Sequence, residues 1–384
     1  MAFMLAFGNL SLLEVCTVLS GVLRAARPVY EDVTMVELKE KTRRYESLAG
    51  VHKIAIPLTS KFRSTLSPTP ELAAFLRGID ERFNFSVSVN SPEGIGEEEY
   101  EQACEMILMA VREAGFRKAN LVRPRTGTEV YARDILARKI VDFVVIKVNG
   151  HYWIGVTSFV PDVAPFHTRS NERPVVSSEI SMSSRLAKIL LNLSGFKRGD
   201  LILDPFCGSG TILSEAVLAG AKCIGIDRNP GRIENARRNL QWLSSNAGVS
   251  AESYTLKVGD ATRLETLMNG TQVDAVVTEP ILLPELDFAP HLEKARKMIR
   301  NASRLYSEAL YSIGSVVRRG GRVVIIAPSL RTYEGRDVSL ALLDVGEAGL
   351  SPYQPHAQNF EYPVRISHEN TKWIKRLVYV FERV

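Results

Sequence analysis

The residues from Leu201 to Pro230, LILDPFCGSGTILSEAVLAGAKCIGIDRNP, constrain the fold of this chain more than any other stretch. An apolar run, Leu201 to Leu203, ends in Asp204. A turn of small residues, Cys207-Gly208-Ser209-Gly210, leads into a helix-like segment from Thr211. A second apolar run, Cys223 to Ile226, ends in Asp227. Strand, glycine turn, helix, strand and acid, in that order, make half of an open α/β sheet. Such a half-fold takes a nucleoside-containing ligand at the carboxyl ends of its parallel strands. Gly208 and Gly210 are expected to let the backbone approach that ligand, where a Cβ would clash. Asp227 lies about 20 residues past the turn, where a carboxylate takes both ribose hydroxyls.

The turn also restricts the ligand. It is not the GxGxxG of a dinucleotide site, because Ile212 and Leu213 follow Thr211, and no Gly-Lys-Ser/Thr phosphate loop occurs. A nucleoside without phosphates is expected, and S-adenosylmethionine fits. Phe206 is a candidate for the pocket lining or for the core. Asp260 follows Gly259 at the end of a third strand, where an acid can accept the adenine amino proton.

Alternating strands and helices continue beyond this motif. Thr255 to Val258, Val273 to Thr278 and Arg322 to Ala327 read as strands, as does Leu377 to Phe381, and Ile180 to Leu193 reads as a helix closed by Gly195 and Gly199. The expectation is a doubly wound, mostly parallel α/β sheet. A chain of 384 residues has room for more, and three blocks emerge: 1–70, 71–165 and 166–384. In the first, Phe3 to Phe7 reads as a strand. A helix should follow, with Ser11 as N-cap and Glu14 three residues later. Val51 to Leu58 reads as a strand and Ser67-Pro68-Thr69-Pro70 as a linker. In the second, Phe83 to Val89 alternates strictly and is expected to be a half-buried strand. Glu97 to Gly115 is helical, and Val141 to Val148 pairs with Tyr152 to Val156 around Asn149-Gly150.

Composition excludes several classes. The first residues lack a basic region before their apolar run, and Glu14 interrupts it, so they do not read as a signal peptide. No apolar run approaches the roughly 20 residues that span a membrane. The four cysteines, Cys16, Cys104, Cys207 and Cys223, form no CxxC pair and have no histidines at metal spacing, so free thiols and no metal are expected. These signs read as a cytoplasmic protein. A net charge of +5 permits a polyanionic partner without demanding one.

DPFCGSGTIL closely resembles the cofactor motif of class I methyltransferases that modify exocyclic amino groups of RNA and DNA. The FxLxFGNxSLLE start is similar to the ferredoxin-like domain that opens certain tRNA methyltransferases, and the second block resembles a THUMP domain, a tRNA-binding module. The bridge RSNERPVVSSEISMSSRLAKILLNLSG, Arg169 to Gly195, matches the segment that precedes the cofactor motif there. The whole is similar to the archaeal and eukaryotic tRNA guanosine-10 N2-methyltransferases. The resemblance implies a Rossmann-like class I methyltransferase domain at 166–384, behind a ferredoxin-like domain at 1–70 and a THUMP domain at 71–165. It implies S-adenosylmethionine held by Asp204, Phe206, Gly208, Gly210, Thr211, Asp227 and Asp260, with Asp204 near the amino-acid part of the cofactor. It implies tRNA as partner, together with the small zinc-binding activator protein that some relatives need.

Such enzymes carry Asp/Asn-Pro-Pro-aromatic after the fourth strand. A guanine amino lone pair is delocalised and a poor nucleophile. A carboxylate or amide and a proline carbonyl bind its protons and aim it at the methyl group, while an aromatic ring stacks on the flipped base. This chain reads Thr278-Glu279-Pro280-Ile281-Leu282. Glu279 and Pro280 keep a carboxylate and a carbonyl, but the second proline and the aromatic are gone, with Phe288 or His291 as substitutes for the ring. Another transferase on the same scaffold, moving an aminocarboxypropyl group or methylating another base, therefore stays open, as does an RNA-binding chain without activity. For RNA binding the candidates are Arg112, Arg117, Lys118, Arg123, Arg125, Arg133, Arg138 and Lys139. Arg169, Arg173, Arg185 and Lys188 in the bridge would continue the track.

Overall fold

The computed structural model describes residues 2–6, 8–30, 33–40, 42–59, 62–63, 70–79, 83–176, 182–280, 283, 286–342, 345–356, 359–366 and 373–384. The chain forms two compact units. One holds Met1–Gly8, Gly21–Ser47 and Val51–Asp162; the other holds Asn9–Ser20, Leu48–Gly50 and Val163–Val384.

The first unit begins with β1 (Ala2–Ala6), from which α1 (Gly8–Val18) departs, and continues with β2 (Leu23–Tyr30), β3 (Val33–Leu38), β4 (Val51–Pro57) and β5 (Phe62–Arg63). Then come α2 (Pro70–Leu76), β6 (Asn84–Asn90), α3 (Glu97–Glu113), β7 (Asn120–Leu121), α4 (Ala132–Arg138), β8 (Val141–Val148) and β9 (His151–Phe159). One sheet runs β2-β3-β1-β4-β9-β8-β6-β7, with β5 on β9. Strands from residues 1–70 and 71–165 are thus neighbours in a single sheet, joined where β4 pairs antiparallel with β9. Asn149 and Gly150 both take positive φ, 49° and 68°, as the two-residue turn between β8 and β9 requires.

The expectation of a half-buried β6 is corrected. Ser86 and Ser88, on its polar side, are as buried as Phe85 and Val87. Both serine hydroxyls donate to Asp142 Oδ1 at 2.8 Å. Lys53 Nζ reaches Asp142 Oδ2 at 2.8 Å, and Thr157 donates to the same oxygen at 2.7 Å. Alternation marked two faces correctly, but the polar face is lined by a closed network rather than by water. The linker residues Ser67 to Thr69 lie outside the described residues, and Pro70 opens α2.

The second unit contains α5 (Ala164–Asn171), α6 (Ser184–Leu193), β10 (Leu201–Asp204), α7 (Thr211–Leu218), β11 (Lys222–Asp227), α8 (Pro230–Ala247), β12 (Tyr254–Val258), α9 (Leu264–Met268) and β13 (Val273–Thr278). It continues with α10 (Leu292–Val316), β14 (Val317–Arg331), β15 (Asp337–Ser339), β16 (Leu350–Pro352), β17 (Val364–Arg365) and β18 (Ile374–Arg383). Its strand order is β12-β11-β10-β13-β14-β18-β16. β10 to β14 are parallel, and β18 is inserted antiparallel between β14 and β16.

Side-chain alternation decides which helices cover which face. Ile224 and Ile226 of β11 point into the core built on α9 and α10. Gly225 between them faces the other way, where a Cβ would collide with Leu213 of α7. Helix starts follow local chemistry. Ser183 caps α6 by accepting from Leu186 N at 3.1 Å, so that helix begins at Ser184, four residues later than the sequence suggests. Asn229 caps α8 with Pro230 in its first turn. Ser11 is not an N-cap, because α1 already starts at Gly8; its hydroxyl donates to Gly50 O at 3.1 Å.

β14 and β18 run further than the apolar patterns indicate. β13 ends at Thr278, opposite Ile325. β14 continues for six more residues, paired to β18 throughout, and β15 takes the place on its flank that β13 has left. At about 3.3 Å per residue this ribbon stands roughly 20 Å beyond the carboxyl ends of the parallel strands.

Candidate active site

Four acids arrive at that carboxyl edge by the same route, each closing or following a parallel strand. Asp204 ends β10, Asp227 ends β11, Asp260 follows β12 and Glu279 follows β13. The crevice where strand order reverses lies between β10 and β13. There Thr278 Oγ1 donates to Asp204 Oδ1 at 2.7 Å, and Phe206 N reaches the same oxygen at 3.1 Å. Asp204 is 2% exposed. Burial raises its carboxyl to about 7, against the pull of those two donors, and the charges of Asp227 and Glu279 push it up further. These three acids therefore share one electrostatic field.

Asp227 ties the glycine turn to its strand. Its Oδ2 accepts from Gly208 N at 3.1 Å and its Oδ1 from Asn229 N at 2.9 Å. Each oxygen keeps a lone pair for a further donor. Gly208 has φ +52°, and no atom stands within 4 Å of where a Cβ would be. It thus opens onto free space, as a ligand cradle requires. Gly210, at φ +84°, differs: a Cβ there would meet Ala236 Cβ of α8 at 3.2 Å. Its role is close packing of the turn under α8, so the expected reason for that glycine is corrected. Phe206 is half-buried.

Asp260 is exposed and accepts from both the N–H and the hydroxyl of Thr262 at 2.9 Å, capping the short turn after β12. Those hydrogen bonds hold its carboxyl below the usual range. The hydroxyl of Thr211 is taken by Arg173 at 2.6 Å.

Glu279 is the least expected part of the site. Its carboxylate is gripped by Arg376 of β18, Nε to Oε1 at 2.6 Å and Nη2 to Oε2 at 3.3 Å. The two side chains are 14% and 2% exposed. Arg376 sits opposite Pro328, in the part of the ribbon beyond the sheet edge, from where it reaches the start of the β13 loop. Beside them Tyr306 of α10 is fully buried and donates to Ile326 O at 3.2 Å. Burial, with the charge of Glu279 behind it, pushes that phenol well above its ordinary value, so it stays a donor. Arg376 carried no sequence signal, being one cation in the strand pattern IKRLVYVFER, 97 residues from its partner. Pro280 is buried behind Glu279, and Ile281 and Leu282 lie outside the described residues.

All eight candidate RNA-binding cations of the first unit are exposed. Arg123 pairs with Glu101, Arg125 approaches Asp134 at 3.7 Å, and Arg133 lies over the Tyr131 ring. The four bridge cations do not form a track. Arg169 is bound to buried Glu215 at 2.6 and 2.9 Å. Arg173 is buried on Thr211, Arg185 donates to Ala49 O at 2.6 Å, and Lys188 lies over the Phe196 ring. All four are thus engaged by neighbours within the second unit. The four cysteines are buried and unpaired. Among the described residues no cluster of His, Cys, Asp or Glu could hold a metal ion, and no helix is long and apolar enough to cross a membrane.

Strand order, glycine turn and edge acids define a Rossmann-like domain. Residues 172–336 match the family model described as RMKL-like, methyltransferase domain. The chain is 35% identical over 150 residues to a tRNA (guanine(10)-N2)-dimethyltransferase of Methanothermobacter thermautotrophicus, covering 38% of this chain and 39% of the relative. It is 31% identical over 212 residues to the protein of that name from Pyrococcus abyssi, covering 55% and 54%. The matches thus span about half or less of these relatives. The fold is similar along its whole length to TrmN from Thermus thermophilus, with a TM-score of 0.54 at 16% identity over 100% of this chain and 99% of the other.

Proposed function

We propose that this chain is an S-adenosylmethionine-dependent methyltransferase acting on an exocyclic amino group of tRNA, the N2 of guanine and, as the relatives' names suggest, at position 10. The observation that carries it is Glu279, a carboxylate fixed beside the switch-point crevice one residue after the strand that contacts Asp204. The residues fit the cofactor. Three acids share a field that a sulfonium and an ammonium would relieve, the turn opens at Gly208, and the turn carries no Gly-Lys-Ser/Thr sequence.

When bound, S-adenosylmethionine supplies an electrophilic methyl group. Asp227 offers its remaining lone pairs to the ribose hydroxyls, Asp204 faces the amino-acid part, and Phe206 and Asp260 serve the adenine side. Glu279 accepts one amino proton of the base and the Pro280 carbonyl accepts the other, which aims the nitrogen lone pair at the methyl group. Arg376 engages both Glu279 oxygens and fixes the plane of the carboxylate. The methyl transfer is direct, without a covalent enzyme intermediate. Arg112, Arg117, Lys118, Arg123, Arg125, Arg133, Arg138 and Lys139 contact tRNA phosphates. The same reading divides the chain into a ferredoxin-like segment at 1–70, a THUMP segment at 71–165 and the methyltransferase at 166–384. It assigns the protein to the cytoplasm and allows a small zinc-binding activator.

Two results are expected for the cofactor site. Gly208→Ala should weaken cofactor binding at least tenfold while costing only about 1 kcal/mol of stability, the strain of a left-handed alanine. Gly210→Ala should cost more stability, about 2 kcal/mol, because its Cβ crowds Ala236. Calorimetric titration and thermal melts on both variants separate the two glycines. Cofactor affinity should also rise as pH increases from 6 to 8, because Asp204 ionises near 7 and its anion attracts the ligand's ammonium. Asp204→Asn should flatten that dependence. The sign for stability is opposite. Native Asp204 keeps a proton that the unfolded chain loses near its ordinary pKa of about 3.9, so this group's contribution falls between about pH 4 and 7.

The test of function is mass spectrometry of nucleosides from unmodified tRNA incubated with protein and cofactor. N2-methylguanosine is expected, and Glu279→Ala should lower its formation by at least a hundredfold. A heavier adduct would point to aminocarboxypropyl transfer. A second reading, tRNA binding without transfer, draws on the engagement of both Glu279 oxygens by Arg376. It gains the lead if no new nucleoside forms even with an activator present.

A further inference from the structure

We propose that the tip of the β14–β15 ribbon and the start of α10 form a second nucleic-acid surface, which holds single-stranded nucleotides flanking the one that enters the site. It rests on the reading of the substrate as RNA. The loop 332–336 joins β14 to β15 and is fastened to the residues before α10. Tyr333 N donates to Pro290 O at 3.0 Å. The Glu334 carboxylate accepts from Leu292 N at 3.1 and 3.3 Å and lies 3.0 Å from His291 Nδ1. That anchoring sets the Tyr333 and His291 rings with centroids 5.3 Å apart, yet Tyr333 is 75% exposed, and Phe288, three residues before His291, is 83% exposed. Large aromatics held in place while facing water are unusual on a surface without a ligand.

Cations surround them. Lys294, Lys297, Arg300 and Arg336 are exposed, and none has a carboxylate partner among the described residues. Arg296 is paired with Glu293, and the Glu334 carboxylate is engaged by His291 and Leu292 N, which leaves Asp287 as the local acid without a partner in view. Rings on which bases stack, edged by free cations, are the chemistry that binds single-stranded nucleic acid without sequence choice. The position fits flanking nucleotides and not the target base. Six residues of ribbon, roughly 20 Å, separate the tip from the edge where Glu279 sits.

The test uses the full chain and an unmodified tRNA transcript, with dissociation constants measured at several salt concentrations and ultraviolet cross-links mapped by peptide. Cross-links are expected on the peptides that carry Phe288 and Tyr333. Tyr333→Ala should weaken binding about tenfold. A Lys294→Ala, Lys297→Ala, Arg336→Ala variant should lower the salt slope by about two. Unchanged thermal melts would show that both variants are folded. If the wild type binds tRNA while both variants match it and all cross-links fall within residues 1–162, the surface is refuted and the tRNA reading stands. If Tyr333→Ala changes only the oligomeric state, the patch is a protein contact and the proposal fails. If the wild type binds no tRNA at any salt, the substrate reading falls and takes the proposal with it.

Discussion

Arg376→Met is expected to lower the stability of the C-terminal unit by about 3 kcal/mol and to reduce turnover by at least a hundredfold. Removing one member of a buried ion pair typically costs about 3–5 kcal/mol, and Glu279 at 14% exposure has little water to replace the guanidinium. The carboxylate would then lose the fork that fixes both its oxygens, and with it the orientation needed to take a proton from an amino group. Arg376→Lys keeps the charge but loses the fork that engages both oxygens, so an intermediate loss is expected. The double variant Arg376→Met, Glu279→Gln removes both charges and should recover most of the stability without recovering activity. Thermal melts and single-turnover rates on the three variants form the cycle. A Met variant as stable and as fast as the wild type would show that the pair is incidental.

Glu14→Ala is expected to be nearly as damaging, although Glu14 belongs to an N-terminal helix far from the site in sequence. Its buried carboxylate accepts from Ala49 N at 2.9 Å, Gly50 N at 2.7 Å and Asn192 Nδ2 at 2.6 Å. Burial pushes that carboxyl up, and these donors together with Lys188 pull it back. Alanine would remove the acceptor of two buried backbone N–H groups, at about 1–3 kcal/mol each before relaxation, and one bond of Asn192. A loss of roughly 3–5 kcal/mol is expected in denaturant titrations. A chain begun at Val163 lacks α1 and residues 48–50, and should be insoluble or molten for the same reason. Gly50→Ala should fail in parallel, because a Cβ there would press on Ser11 Oγ and Glu14 Oε2. A soluble, cooperatively unfolding fragment from Val163 onward would overturn this account.

The parallel sheet was legible because β10, β11 and β13 are apolar runs stopped by an acid, at Asp204, Asp227 and Glu279. Runs of that kind need both faces covered, which the α/β pattern supplies. What stayed hidden depended on partners far away in sequence. Ser86 and Ser88 look solvent-facing until Lys53 and Asp142 are brought beneath them. Arg169 and Arg173 look like a basic track until Glu215 and Thr211 claim them. β14 looks like a six-residue strand, because the antiparallel partner that sustains its extension is in the last 11 residues. Arg376 and Glu279 could be paired only once that extension was known. Local patterns reveal which face is apolar, whereas polar side chains are assigned by whatever long-range neighbour is within reach.

The departure of α1 into the second unit has a consequence for biosynthesis. Glu14 and Asn192 are 178 residues apart in the chain. At about 5–20 residues per second of synthesis, the helix LSLLEVCTV waits some 10 to 35 seconds before its partners leave the ribosome. During that interval Leu10, Leu12, Leu13 and Val15, all buried in the finished fold, have only residues 48–50 of their own unit already made. Production of this protein therefore depends on what shelters a short greasy helix on the nascent chain, and slow or chaperone-poor expression should lose it there first.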